Sequence, residues 1–565
     1  MERRFYLVDA QVLPEVFLKV VRAKELLASG EARSISAATR AVDLSRSAFY
    51  KYKDCIFDSE NGREVITVMA TLRDETGALQ SLLAGISAAG ASIVTINQST
   101  PENGAALVAV TIRTDTMQMT PEELTEKLSR QRMVVGVHCG YNLYAVFRKR
   151  GRTTMAKIAI LGFGTVGSGV YEVLCRNAAG VSRRAGEPVE VKYILDPKDF
   201  SNHPDAHLFI KNFDTILEDP EIKVVVETIG GTRFAYPYVK ACLESGRSVC
   251  TSNKEMVATY GAELLGLAKE HGCAFLFEAS VGGGTPIITP MHQCLAANVI
   301  TEVEGIVNGT TNFMLTKMVR ENLGFDDALK IAQELGYAET KDPSDDVDGR
   351  DACRKIAILS SLVCGHQIYP QNIPTRGIRA ITTADVEAAE KLGCVIKLIA
   401  WMKRGKDGSV AAGVEPCLVP KANQLASVDD VFNAVLVKGD MLGDVVFYGK
   451  GAGKLPTASA VVADVVDALK HGSKVHDSLF WQPAEPVEGM LTDPAPAAYY
   501  VRVAGIAPAV VEAIYGYGRV VDERYEGCAY FVERADEKAL AEAARKVEAV
   551  GGSVKLVLKR LPEEN

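Results

Sequence analysis

What this sequence lacks narrows it before anything in it is interpreted. No run approaches the roughly 18 apolar residues that a membrane-spanning helix needs, and the opening MERRFYLVDAQ has no cleavable apolar core behind its charged start. No membrane partner and a cytoplasmic location are therefore expected. The 12 cysteines are scattered over 565 residues with no CxxC pair and no dense cluster, which argues against a zinc ribbon and against a secreted disulfide framework. Positive charge is not in excess either: 63 Lys+Arg stand against 71 Asp+Glu, a formal charge of −8. That balance gives no support for nucleic acid as a general partner, although a local basic element at the amino terminus could touch it. What remains, 47% hydrophobic and 24% charged residues, is the mixture of ordinary globular domains. At roughly 100–200 residues per domain the length implies on the order of three to five units.

Breaks in composition suggest where the units lie. Residues 13–53 carry a helical pattern, and SISAATRAVDLSRSAFYKYKD within them resembles a helix-turn-helix, with Asp43 in the turn and Arg46, Lys51 and Lys53 on the second helix. A small helical packing module with a solvated basic face is the favoured interpretation, and DNA contact the alternative. From Val65 the order strand, helix, strand, strand, helix, strand matches a split βαβ, ferredoxin-like unit. Asp74-Glu75-Thr76-Gly77-Ala78-Leu79, between its first strand and first helix, makes the segment resemble ACT domains, which bind small amino acids at that place. A polar basic stretch, KRGRTTM, then leads to Met155, which reads as a former start codon and suggests a fusion. Near the other end QPAEPVEGMLTDPAPAA, residues 482–498, has four prolines and suits a semi-rigid linker. A second βαββαβ order follows it, ACT-like but divergent: its effector loop is Gly505-Ile506-Ala507-Pro508-Ala509-Val510, without the acidic residue. Oligomerisation or a degenerate role is expected there.

The chemistry-bearing signals lie between these flanks. The apolar strand KIAIL runs directly into Gly162-Phe163-Gly164-Thr165-Val166-Gly167 and then a helical pattern. In that context Gly162 permits the tight turn, Gly164 lets backbone approach a pyrophosphate, and Gly167 lets helix pack on strand; the helix start supplies amide donors. Asp196 ends the next strand, where a carboxylate can bond ribose hydroxyls, and the nearby Lys198 could instead receive a 2′-phosphate. Two further buried strands end in polar loops, KVVVET before Ile229-Gly230-Gly231 and SVCTS before Asn253-Lys254-Glu255, so Thr228, Gly230 and Lys254 stand where open α/β sheets bind ligands. Asp351 and Lys355 are four apart on a predicted helix, hence on one face, where the carboxylate can orient the ammonium. Hydride reaching an aldehyde carbon leaves an alkoxide, and a positioned lysine can stabilise that charge and protonate it.

In order along residues 155–477, the motifs GFGTVGSGV, VVVETIGG, TSNKEMVA, FEASVGGGTPII, GIVNGTTNFML, LGYAETKDPSDDVDGRDACRKIAIL and GKGAGKLPTASAVVAD make the chain resemble homoserine dehydrogenases. The resemblance implies reduction of L-aspartate 4-semialdehyde to L-homoserine with NADH or NADPH, on the route to threonine and methionine. It implies Lys355 as general acid, Asp351 as its partner and Lys254 as a second catalytic or positioning lysine. Glu339 would bind the substrate's amino group and Gly336 would line the substrate site with it, although one more residue than the family pattern separates Glu339 from Asp342-Pro343. A sodium ion would be held by Glu278, Val281, Gly283 and Thr285, and Gly451 or Gly453 would lie near the coenzyme. Lys454 stands where a small or acidic residue is expected.

The fold class that results is α/β: a Rossmann-type nucleotide domain and an α/β substrate and dimerisation domain, flanked by two ferredoxin-like (ACT) domains. The expected boundaries are 1–60 helical, 61–148 ACT, 155–290 nucleotide-binding, 291–480 substrate-binding with its last helix returning to the nucleotide domain, and 497–562 divergent ACT-like. The expected partners are the small-molecule substrate, an amino-acid effector, and further copies in a homodimer or homotetramer. The rival functions are another semialdehyde or amino-acid dehydrogenase of related fold, and a ligand-sensing transcription regulator.

Overall fold

The computed structural model describes residues 19–20, 22–23, 35–42, 44 and 49, then 65–140 apart from 74, 76, 99–104, 114–116 and 118. From residue 155 it describes the chain to 563 except 473, 475–478, 485–494 and 524–526. The chain divides into two units, Met1–Arg152 and Thr153–Asn565.

In the first unit one short helix, α1 (Ile35–Ala41), belongs to the helix-turn-helix-like segment; Asp43, Arg46, Lys51 and Lys53 lie outside the described residues. The remainder is β1 (Val65–Arg73), α2 (Ala78–Ser87), β2 (Ser92–Gln98), β3 (Ala105–Arg113), α3 (Pro121–Ser129) and β4 (Val134–Gly140). The sheet is antiparallel in the order β2-β3-β1-β4. Its core follows from the period of two: Val68, Ala70 and Leu72 alternate onto the same layer as Val108, Val110 and Ile112, and Leu82, Ile86, Leu124 and Leu128 of the helices cover them. Thr120 and Glu123 form a reciprocal capping box with Pro121 at the first helical position, which starts α3 sharply.

The second unit opens with an all-parallel sheet ordered β10-β9-β8-β5-β6-β7, built from β5 (Ala156–Leu161), β6 (Val189–Leu195), β7 (Phe209–Ile210), β8 (Ile222–Glu227), β9 (Ser248–Thr251) and β10 (Phe275–Leu276). Helices cover both faces, which is why these strands are runs of Ile, Val and Leu rather than alternating. The strand order reverses between β5 and β8, and α4 (Thr165–Arg176) begins just beyond the end of β5. α5 (Lys254–Glu270) begins beyond the end of β9.

Next come β11 (Ile300–Ile306), α6 (Gly309–Glu321), the one-turn α7 (Ser344–Val347), α8 (Arg350–Cys364) and α9 (Thr383–Lys391), then β12 (Cys394–Arg404), β13 (Val410–Pro420), β14 (Phe432–Gly439) and β15 (Gly443–Lys450). The chain then returns to the nucleotide-type sheet through α10 (Lys454–His471), which is packed on α4 so closely that a Cβ on Gly169 would touch the Lys454 carbonyl and Ala458. Lys454, unexplained by its sequence neighbours, pairs with Glu172 of α4 at 2.8 Å and so fastens this return.

A second βαββαβ unit closes the chain: β16 (Ala497–Ala504), α11 (Pro508–Tyr515), β17 (Gly518–Asp522), β18 (Gly527–Ala535), α12 (Glu537–Ala549) and β19 (Ser553–Arg560). Its strands are ordered β19-β16-β18-β17, the same arrangement as in the first unit, but the sheet does not stand apart. β19 pairs in parallel with β13 at Cys417 and Leu418, so β11–β15 and the carboxyl-terminal strands form one nine-stranded sheet. Polar contacts reinforce the junction. Asp385 of α9, fully buried, accepts a 2.7 Å hydrogen bond from the Tyr500 hydroxyl and pairs with Arg502, while Lys391 pairs with Asp522.

Candidate active site

The glycine loop after β5 is shaped by three different requirements. Gly162 has φ 91°, and a Cβ there would press on the backbone of Thr228 and Ile229. A Cβ on Gly167 would overlap the Gly162 carbonyl and meet the Thr228 hydroxyl, which itself donates to the carbonyls of Leu161 and Gly162 at 3.0 and 2.9 Å. Gly164, by contrast, faces open space, at the N-cap of α4 where backbone donors and the helix dipole favour an anion. Gly164 and Thr165 are exposed, with Phe163 and Val166 half-buried beside them. A dinucleotide pyrophosphate suits this cradle, because the only glycine with no packing reason to be glycine is the one on its open side.

Asp196 lies against this loop, buried, with one oxygen accepting the Phe163 amide at 2.7 Å and the other the Lys198 amide at 2.9 Å. Its partners in the structure are thus main-chain groups that fix the loop. Across the switch point, the ends of β8 and β9 are joined by a carboxylate that the sequence reading passed over. Glu227, wholly buried, accepts the Ile229 and Gly230 amides at 2.7 and 3.1 Å and the Thr251 hydroxyl at 2.5 Å. Burial pushes its carboxyl above the ordinary range, against the pull of those donors. Its one sequence signal is an acid closing the apolar run KVVV. Gly230 at φ 80° is exposed beside Thr228.

Asn253 caps α5 by accepting the Met256 amide at 3.1 Å and anchors to the Gly231 carbonyl at 2.6 Å, which sets Lys254 at the first position of the helix. There its ammonium meets Asp351 of α8. The other oxygen of Asp351 takes Lys355 at 2.7 Å, one turn along the same helix. Lys355 also donates to the Val307 carbonyl at 2.6 Å, so two of its three N–H groups are committed and one is free. Asn308, the N-cap of α6, completes the cluster: its amide donates to Asp351 at 2.8 Å and to Asp346 of α7 at 2.7 Å. Asn308 and Asp346 were not singled out in sequence; the signal was a helix-capping Asn directly after a strand in GIVNGTT.

The electrostatics separate the two lysines. Burial works against the charge of Asp351, yet Lys355 and Lys254 outweigh it and hold its carboxyl far below the ordinary range. Burial, with the repulsion of Lys254 added, pulls Lys355 below the ordinary lysine value despite Asp351. For Lys254 the opposing burial is overcome by Asp351, and its pKa is raised. Burial, aided by the Asp351 charge, lifts Asp346 above the ordinary carboxyl range. The structure therefore brings together a lysine that gives up its proton more readily and one that stays charged.

Glu339 and Gly336 are both exposed, in a loop fastened by Thr310 donating to the Tyr337 carbonyl at 2.7 Å and Gln333 donating to the Glu339 carbonyl at 3.0 Å. The Glu339 carboxylate has no partner among the described residues. In the other glycine loop, the Glu278 carboxylate accepts three main-chain amides, from Ile287, Ile288 and Thr289, at 2.6, 3.0 and 2.6 Å. Three of its roughly four lone-pair positions are thus filled, while no backbone hydrogen bond to the carbonyls of Val281, Gly283 or Thr285 occurs among the described residues. Unclaimed carbonyl oxygens with one carboxylate position are a donor set that a hard monovalent cation accepts. Gly283 packs against Gly451, Gly451 lies flat on the buried Asn433 amide, and Gly453, at φ 126°, caps α10.

Two family models match within the second unit. The family model for homoserine dehydrogenase matches residues 286–466, and that for the homoserine dehydrogenase NAD-binding domain matches 162–278. The homoserine dehydrogenase of Bacillus subtilis is 41% identical over 320 residues, 56% of this chain and 73% of that protein. That of Pseudomonas aeruginosa is 40% identical over 360 residues, 61% of this chain and 81% of that protein. Among solved structures, the homoserine dehydrogenase from Thiobacillus denitrificans is 36% identical with a TM-score of 0.66, covering 73% of this chain and 99% of that one. The enzyme from S. aureus is 32% identical at a TM-score of 0.60, over 73% of this chain and all of that one.

Proposed function

The chain belongs to the homoserine dehydrogenase family of NAD(P)-dependent oxidoreductases, and from that premise we propose that Lys355 is the proton donor and Asp351 the hub of the centre that interconverts L-aspartate 4-semialdehyde and L-homoserine. The observation that carries this is the buried Lys254–Asp351–Lys355 cluster, with one Lys355 N–H uncommitted. When bound at Gly164 and Gly230, the dinucleotide supplies the hydride. Lys355 then protonates the alkoxide oxygen, made a better acid by its burial. Lys254, held charged by Asp351, orients the substrate and steadies the developing negative charge. Asn308 keeps Asp351 in place, and Glu339, on its exposed loop, receives the substrate ammonium. A sodium ion at Glu278, Val281, Gly283 and Thr285 would stiffen the loop that meets Gly451, a supporting role outside the chemistry.

Homoserine with NAD or NADP in a spectrophotometric assay tests the activity; no coenzyme reduction with either would overturn it. Lys355→Ala is expected to lower turnover by roughly 10²–10⁴-fold while dinucleotide affinity, read by fluorescence titration, stays unchanged.

The first unit supports a regulatory reading. A cavity of about 320 Å³ lined by Leu72, Arg73, Glu75, Gly77, Leu79 and Ala106 lies at the start of α2, where Gly77 at φ 88° turns the chain. We infer an ACT-type amino-acid site there, tested by titrating threonine, methionine and phenylalanine into the assay. Unchanged kinetics with all three would remove it.

A further inference from the structure

The nine-stranded sheet forks at one residue. Upstream, β13 pairs with the segment before α9: Thr375 bridges Val414, Arg376 donates to the Val414 carbonyl at 2.7 Å, and Val414 donates to Pro374 at 2.9 Å. Downstream, β13 pairs with β19 only from Cys417. Pro416 stands between the two ladders and has no N–H to offer either. Toward its amino end β19 diverges, so Val554–Val557 have no strand partner on this side. The result is a cleft of about 400 Å³ lined by Asp348, Arg376, Arg379, Pro416, Lys555 and Val557 among others, within the roughly 300–1,000 Å³ of small-molecule sites.

Its charge is lopsided. Arg376 pairs with Glu415, and Arg379 with Asp348 at 2.5 Å and the Ser344 hydroxyl at 3.0 Å. Lys555 is exposed and has no partner among the described residues. Two guanidinium groups, an uncommitted ammonium and an unpaired strand edge stand against two carboxylates, Asp348 in the lining and Glu415 beside Arg376, which leaves one positive charge in excess. Guanidinium forks recognise carboxylates two-pronged. We propose that this fork binds a small organic dicarboxylate, one end on Lys555 and the other on the two arginines.

Occupancy reaches the catalytic cluster through α7. Ser344 and Asp348 bracket that helix, and Ile378 donates to its last carbonyl, Val347, at 2.9 Å. Asp346 within it shares the Asn308 amide with Asp351. A ligand that draws Arg379 from Asp348 and Ser344 loosens the helix that steadies Asn308, and turnover falls. Its lining includes none of the residues proposed to hold coenzyme or substrate.

The test uses the full chain, with succinate, glutarate and L-malate as probes and inorganic phosphate as the carboxylate-free anion. At least one dicarboxylate should bind by calorimetry and lower kcat without competing with homoserine. Lys555→Ala should weaken that response about two- to fivefold, as loss of an exposed ion pair does, and the charge reversal Lys555→Glu should weaken it further, with basal turnover unchanged. Absence of binding by all three dicarboxylates at millimolar concentration would overturn the proposal. So would purely competitive inhibition, an undiminished response in both Lys555 variants, or phosphate binding as tightly as the dicarboxylates.

Discussion

Lys254 and Lys355 share one carboxylate, yet their surroundings drive them in opposite directions, and this makes the site testable by pH. In the proposed role Lys355 must be protonated to supply the alkoxide's proton during reduction, and burial has lowered its pKa. The reductive rate should therefore fall on an alkaline limb that lies below the ordinary lysine value of 10.5. In Asp351→Asn the main influence favouring the charged form is gone, and burial with the Lys254 charge outweighs the weaker pull of Asp346, so the limb moves to lower pH and kcat drops. A pH–rate profile of the two proteins checks this, and an unmoved limb would assign the limb to another group.

At the scale of the element, the glycine loop offers a contrast between packing and binding. Gly167→Ala forces a Cβ into the Gly162 carbonyl and should cost stability as well as coenzyme binding. Gly164→Ala meets nothing in the fold, so its thermal midpoint should hold while the KM for the dinucleotide rises. Equal midpoints for the two variants would contradict this division. The mixed sheet has its own signature. Glu304 of β11 is buried with Glu302 on the same strand, Lys403 on β12 and Lys438 on β14 nearby, and burial, aided by Glu302, pushes it from 4.5 to about 8. A carboxyl whose folded pKa lies above its unfolded one stabilises the fold while protonated, and that contribution is lost as pH rises through about 8. Thermal midpoints should accordingly decline from the ordinary glutamate range up to that pH, and Glu304→Gln should flatten the decline.

For the whole molecule the two ends of the chain behave differently. Residues 153–565 form their own unit and should, expressed alone, keep homoserine oxidation. The carboxyl-terminal strands are integral, because they supply four members of the nine-stranded sheet and the partners of buried Asp385. Tyr500→Phe removes a donor from that carboxylate and should destabilise by about 1–3 kcal/mol. Deleting residues 495–565 should do far more, exposing the β13 edge at Cys417 and Leu418, with loss of soluble protein as the measure.

Local pattern was enough to make the parallel strands, the glycine turn, both βαββαβ orders and the Asp351–Lys355 spacing legible, because strand period, helical period and glycine freedom act over a few residues. Even Lys254 could be named, since it follows a buried strand. The sequence could not show that Lys254 and Asp351 meet, 97 positions apart, nor that Asn308 and Val307 complete their shell. It left Glu227 as an ordinary charge, offered Asp196 as a ribose ligand without showing the two amides that hold its oxygens, and did not show that the carboxyl-terminal strands join the sheet of β13. Each of those depends on which distant backbone arrives beside a side chain, and hydrogen bonding and desolvation act only once the fold has brought the groups within about 3 Å and excluded water.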